Sequence, residues 1–341
     1  MDNGATNDKP AGFSLLSQWF GVPFLIVATI VGGAVLVVFL FGAPAQPERR
    51  DVDSLLQVLE ASSGEKSAGM LLPREKELWQ TALELTTRLE KKEVELSDDE
   101  VLSIAKRLAV LVKTDLRHVD RLTASGGQSA DGYAVRSRRL EFVIHALGRT
   151  ERVEAVKPLI DVVRTGREPY VRVAMQELGN LHELGETRAS IRPVLEVLTT
   201  AAMPETLLTA CTVLSVIADE EDAEVIEALK STRLAHEGEV AWSAALALAR
   251  LGSPAGKSTL MDLLDRTFWE AGERYQATDS AGRLVRYAMP PHRVDDLLIA
   301  AMDAVSNLDD PELGAMVERL TSDPSPTVRG RAMAVVSARG K

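Results

Sequence analysis

From Trp19 to Phe41 the chain reads WFGVPFLIVATIVGGAVLVVFLF, and no Asp, Glu, Lys or Arg stands between Lys9 and Glu48. As a helix these 23 residues extend about 34 Å, enough to cross a hydrocarbon core of about 30 Å. Lipid offers the backbone no hydrogen-bond partner, so a helix is the form such a run takes. It is apolar on every side, unlike a helix that buries one face in a soluble core. Trp19 and Phe20 at one end and Phe39 and Phe41 at the other suit the two interfaces, and Pro23 falls in the first turn, where a helix tolerates it. The expectation is a short tail (1–18), a single transmembrane helix (19–41) and a linker (42–50). A cleaved signal peptide is the competing reading, because Ala43-Pro44-Ala45 resembles a cleavage site ahead of Gln46. The length of the run and the single basic residue before it, Lys9, favour an anchor. Lys9 on one side against Arg49 and Arg50 on the other favours the cytoplasm for the large domain over a periplasmic or extracellular setting.

Residues 1–50 hold three acids and three bases, so the whole net charge of −11 belongs to the chain from Asp51 onward. An anionic domain repels phosphate backbones over most of its surface, which argues against nucleic acid as a partner. Cys211 is the only cysteine, so there is no intrachain disulfide and no Cys-based zinc site. Aromatic residues make up 4% of the chain and Ala, Leu and Val dominate its patterns, which favours thin helix-on-helix layers.

The chain beyond the linker reads as short amphipathic helices separated by turns of Gly, Pro, Ser and Asp, giving an all-α fold class. Leu78, Ala82, Leu85 and Leu89 form one apolar stripe. Ser97 with Glu100 makes a capping box that opens a helix carrying Val101, Ile104, Leu108, Leu111 and Val112. From about residue 133 the pattern recurs: VIHALGRTERVEAVKPLIDVV (143–163) and ALALARLGSPAGKSTLMDLL (245–264) share an apolar helix, a Leu-Gly stop, a polar turn and a second apolar helix. Leu-Gly pairs at 147–148, 178–179 and 251–252 are 31 and 73 residues apart, the wider gap leaving room for a further unit around Val213 to Ala218. Gly after the last apolar residue is the expected C-cap, and repeats of this period mark an α-solenoid.

With DPSPTVRGRAMAVV (323–336), EPYVRVAMQELGNL (168–181) and EGEVAWSAALALARLG (237–252), the chain resembles HEAT-repeat proteins, including the shorter HEAT-like units of phycobilisome-lyase relatives. The second segment lacks the Asp that begins the turn and the third lacks the Arg that follows Val. The resemblance covers about 133–341 and implies stacked helical hairpins with scaffold or adaptor work. The region 51–122 is expected as an N-terminal helical or capping region. The region 123–341 is expected as the repeat region, with an insertion at 266–292.

No acid, base and nucleophile cluster in the sequence, so the reading is of no enzyme and no cofactor. GSPAGKST (252–259) invites a phosphate-loop reading, but Leu251 stands where the first Gly belongs, and a plain turn between helices fits better. His118, His145, His182, His236 and His292 lack metal-ligand spacing, and His145 reads as a packed core residue. Two candidate surfaces stand out. Phe268, Trp269, Tyr275 and Tyr287 in the insertion are candidate partner-binding aromatics, against the plainer reading that they pin a loop to the helices. Lys113, Arg117, Arg121, Arg136, Arg138 and Arg139 are candidate contacts for an acidic partner or anionic lipid, against a solvated face paired with acidic neighbours. The expected function is therefore a membrane-anchored scaffold or adaptor that binds protein partners. A lyase-like or chaperone-type accessory subunit is the alternative.

Overall fold

The computed structural model describes residues 51–62, 75–91, 96–124, 130–271, 275–278 and 284–339. The tail, the apolar run 19–41 and the linker lie outside them. Among the described residues no helix is long and apolar enough to cross a membrane. The chain divides into two units, Met1–Ser54 and Leu55–Lys341, and the stack of helices belongs to the second.

Among the described residues the longest helix begins where the capping box places it. Ser97 N donates to Glu100 Oε2 at 2.8 Å and Glu100 N returns a bond to Ser97 Oγ at 3.4 Å, satisfying two amides that a helix start leaves without partners. With α1 (Val52–Ala61) and α2 (Glu75–Glu90) ahead of it, this helix is α3 (Asp98–Ala124). The stripe Leu78, Ala82, Leu85 and Leu89 is buried, as are Ile104, Leu108, Leu111 and Val112, whereas Val101 stays half-exposed.

The chain continues as α4 (Ala130–Gly148), α5 (Val153–Val163), α6 (Tyr170–Asn180), α7 (Ile191–Thr200), α8 (Pro204–Ile217), α9 (Ala223–Ala235) and α10 (Glu239–Arg250). Then come α11 (Lys257–Leu264), α12 (Arg266–Glu270), α13 (Pro291–Val305), α14 (Pro311–Arg319) and α15 (Pro326–Arg339). Hairpins form between α3 and α4, α5 and α6, α7 and α8, α9 and α10, α11 and α13, and α14 and α15. The second helices also touch one another in order, α2 to α4 to α6 to α8 to α10 to α13 to α15. We call these the trailing row. The first helices form a leading row in which α3 touches α5, α5 touches α7, α7 touches α9, and α11 touches α14. Each hairpin therefore buries its apolar face against the hairpins beside it, an arrangement compatible with an α-solenoid. The alternation already holds at α3 and α4. The unit expected around Val213 is the α7–α8 hairpin, with Val213, Leu214 and Ile217 buried.

The three Leu-Gly pairs do different jobs. Gly252 has φ +73° and closes α10, with its own N–H on Ala249 O and Ser253 N on Leu248 O, the double-bonded glycine cap. Gly148 and Gly179 have no positive φ, so the cap expected there is replaced by close packing. A Cβ at Gly148 would lie 2.6 Å from Glu177 Cβ, and one at Gly179 would lie 3.3 Å from Val213 Cγ2. Both glycines let neighbouring helices of the trailing row approach closely.

The insertion interrupts the α11–α13 hairpin. It begins with α12, whose start is capped by Asp265 accepting from Thr267 N. It then forms a two-stranded antiparallel ribbon, β1 (Tyr275–Thr278) and β2 (Leu284–Tyr287), with Tyr275 opposite Tyr287. These four-residue segments, rich in Tyr, Val and Thr, suit a pleated strand. The ribbon is the one strand pair among the described residues, which are otherwise helical or in turns. Beneath the insertion a core of Trp242, Leu260, Leu263, Trp269, Leu298 and Met302 joins α10 through α13.

Candidate interaction surface

Because each interior helix of the trailing row is flanked by two row neighbours and backed by the leading row, only a narrow stripe of it meets solvent. On α4 that stripe is Arg138, with Glu141, His145 and Arg149 partly exposed. On α6 it is Arg172, Gln176 and Asn180, on α8 Thr212 and Val216, and on α10 the partly exposed Leu246 and Arg250. Side by side these stripes make a continuous face, charged on α4 and α6 and largely neutral on α8.

The chemistry of this face concentrates where α4 meets α6. Glu177 is 1% exposed. Its carboxylate lies 2.6 Å from His145 Nδ1 and 3.8 Å from Arg149 Nε, and accepts from Asn180 Nδ2 at 3.2 Å. Arg149 also reaches Glu90 of α2 at 3.7 Å, so three trailing-row helices share one charge network. A buried carboxylate costs free energy unless it is paired and hydrogen-bonded, and here it is both. Burial pushes the Glu141 carboxyl above its ordinary range even though His145, Arg138 and Arg172 oppose that shift. Arg138 and Arg172 make no ion pair among the described residues, so two guanidinium groups bracket a half-buried carboxyl. That arrangement can take up a carboxylate or amide group from an extended chain laid across the row.

The other expected site residues fall into separate settings. Trp269 is 2% exposed, donates its indole N–H to Leu263 O at 3.2 Å, and stacks edge-on with Trp242 and Phe268, centroids 4.9 and 5.0 Å away. It pins the insertion to the helices, the plainer of the two readings. Phe268 packs partly buried against the same core. The side chains of Tyr275, Tyr287 and Arg136 lie outside the described residues. Arg139 is 4% exposed, pairs with Asp115 at 3.0 Å, and donates to Ser62 Oγ and to Leu59 O. Its charge is spent inside the α1–α3–α4 junction and does not face a surface partner. Lys113, Arg117 and Arg121 are exposed on α3 in the leading row, whereas Arg138 belongs to the trailing row. The bases that lie close together in sequence therefore part in space. Contacts between rows, which spacing does not encode, separate them.

Lys257 of the phosphate-loop look-alike binds Asp310 at 2.8 Å and Glu312 at 2.9 Å, and these partners hold its ammonium above the ordinary lysine range. Gly256 beside it packs on the backbone of Ala245. The segment follows α10 through a single tight turn, Pro254–Gly256, and acts as a turn between helices. His145 is half-exposed and paired with Glu177, not packed in the core as expected. Among the described residues no three His, Cys, Asp or Glu side chains are grouped to hold a metal ion. An open cleft of about 490 Å³ lies between α13, α14 and the end of α15, with Asp309, Asp310, Glu318 and Arg339 on its walls. Arg339 fills part of it by donating to Leu308 O at 3.2 Å. No protein-family model matches the chain, and no curated protein sequence matches it.

Proposed function

We propose that the chain is a membrane-anchored scaffold that uses a HEAT-like stack of hairpins to hold an extended protein partner. The apolar run 19–41 supports the anchor, being long enough to span and free of charge. The HEAT-like reading draws support from the tail motif. Arg329, six residues after Asp323, donates to Asp323 O at 2.6 Å and Pro324 O at 2.9 Å. Arg266 meanwhile grips the Asp323 carboxylate at 2.7 and 2.8 Å. The observation that carries the partner-binding reading is the continuous solvent face of the trailing row, with the Arg138–Glu141–Arg172 cluster at its charged end. Such a face suits a partner that crosses several hairpins and gains a little from each.

The test is site-specific photo-crosslinking in full-length protein in its native membrane. Crosslinkers at Gln176 and Thr212 on the trailing row are expected to give the same discrete adduct. One at Glu227, exposed on α9 of the leading row, is expected to give none. No adduct at the first two positions, or an identical pattern at all three, would overturn the reading.

A further inference from the structure

Between Val101 and Arg121, every exposed position of α3 is Ser103, Lys106, Val110, Lys113, Arg117 or Arg121. At 100° per residue these six fall on one stripe, about 27 Å long. Two acids share this stretch of helix, and both turn their charge toward other elements. Asp115 is paired with Arg139 of α4 at 3.0 Å, and Asp120 with Arg167 at 2.8 Å. These ion pairs remove the negative charge and leave Lys106, Lys113 and Arg117 as cations along this edge of a chain whose net charge is −11. Lys106, Lys113 and Arg117 make no ion pair among the described residues. Val110, 65% exposed, stands in the middle of the cationic stripe.

We infer that this edge of α3 docks on an anionic bilayer surface. The inference rests on the reading of 19–41 as a membrane anchor and adds a second, electrostatic contact to it. A single helix edge offers no recess for a folded acidic protein, but it lies along a plane. Its cations match anionic headgroups, and an exposed Val among them can enter the interfacial layer. The tether favours the same partner. Val52, the first residue of α1, follows Phe41 by eleven residues, at most about 40 Å of extended chain, so the domain is held at high local concentration beside the leaflet.

The experiment uses full-length protein with Val110→Cys carrying a polarity-sensitive fluorophore. The native Cys211 is buried and its thiol is pushed up to about 12, so it stays unlabelled at neutral pH. The labelled chain is reconstituted into vesicles of phosphatidylcholine alone or mixed with phosphatidylglycerol. A blue shift in the anionic vesicles alone, reversed by added salt, is the expected result. With Lys106→Gln, Lys113→Gln and Arg117→Gln together, the docked-to-undocked ratio should fall roughly a hundredfold, with the melting temperature unchanged. Equal emission in both vesicle types would overturn the inference. So would a shift that survives the triple substitution, or one that needs an added acidic protein. Flotation with phosphatidylcholine vesicles separates the two claims. A chain that fails to float refutes the anchor, while its fluorescence on added anionic vesicles still decides the fate of the α3 edge.

Discussion

At the scale of single residues, the same letter carries different physics in different contacts. Gly148→Ala would press a methyl group into the Glu177 side chain at 2.6 Å, and the crowded junction has no slack to absorb it. A loss of about 1–3 kcal/mol is expected in denaturant titrations. Gly330, inside α15, has open space for 4 Å around the point a Cβ would occupy, so Gly330→Ala should add about 0.5–1 kcal/mol through helix propensity alone. Arg139→Ala should cost about 3–5 kcal/mol because it breaks a largely buried ion pair with Asp115. Lys113→Ala, on the solvent edge of the neighbouring helix, should stay within about 0.5 kcal/mol. Nothing local in the sequence separates Arg138 from Arg139, or the cap glycine Gly252 from the packing glycines Gly148 and Gly179. Each difference comes from a residue on another helix, or from one turn of backbone, and a linear pattern records neither.

The elements themselves are far more legible than their contacts. The capping box at Ser97, the apolar stripes of α2 and α3, and the helix–turn–helix order of the later chain follow from periodicity and cap chemistry, which act over a few residues. The ribbon β1–β2 is not legible, because two four-residue strands present too short an alternation to outweigh their setting. The aromatic insertion is conspicuous by composition, yet the burial of its rings depends on the core under it. Trp269→Ala should cost about 3–5 kcal/mol, read as a lowered melting temperature, by emptying the space beside Trp242 and Leu263. The α12–α13–α15 junction should also confer acid sensitivity. Burial pushes the Asp295 carboxyl up, but bonds from Arg266 and Ser325 and the nearby positive charge bring it below its ordinary value. A carboxyl lower in the folded than in the unfolded state adds stability above about pH 4, and that contribution is lost as pH falls through the folded value. The melting-temperature gap between the parent chain and Asp295→Asn should therefore narrow in acid, and a gap that stays constant with pH would contradict the assignment.

For the whole stack, hairpins that depend on immediate neighbours predict graded behaviour. A chain ending at Leu308 loses α14 and α15 and uncovers Met302 and Val305, but the junctions between α3 and α13 remain. It should keep its helical circular dichroism per residue while showing a lower unfolding midpoint and a smaller denaturant slope. Complete loss of helix would mean that the end hairpin is required for everything before it. The ribbon obeys a different rule, because it emerges between two helices of one hairpin that still contact each other directly. With Trp269 as its plug, that site works as a socket: what the chain carries between α12 and α13 hangs on one buried ring, while the α11–α13 contact is made by the two helices themselves.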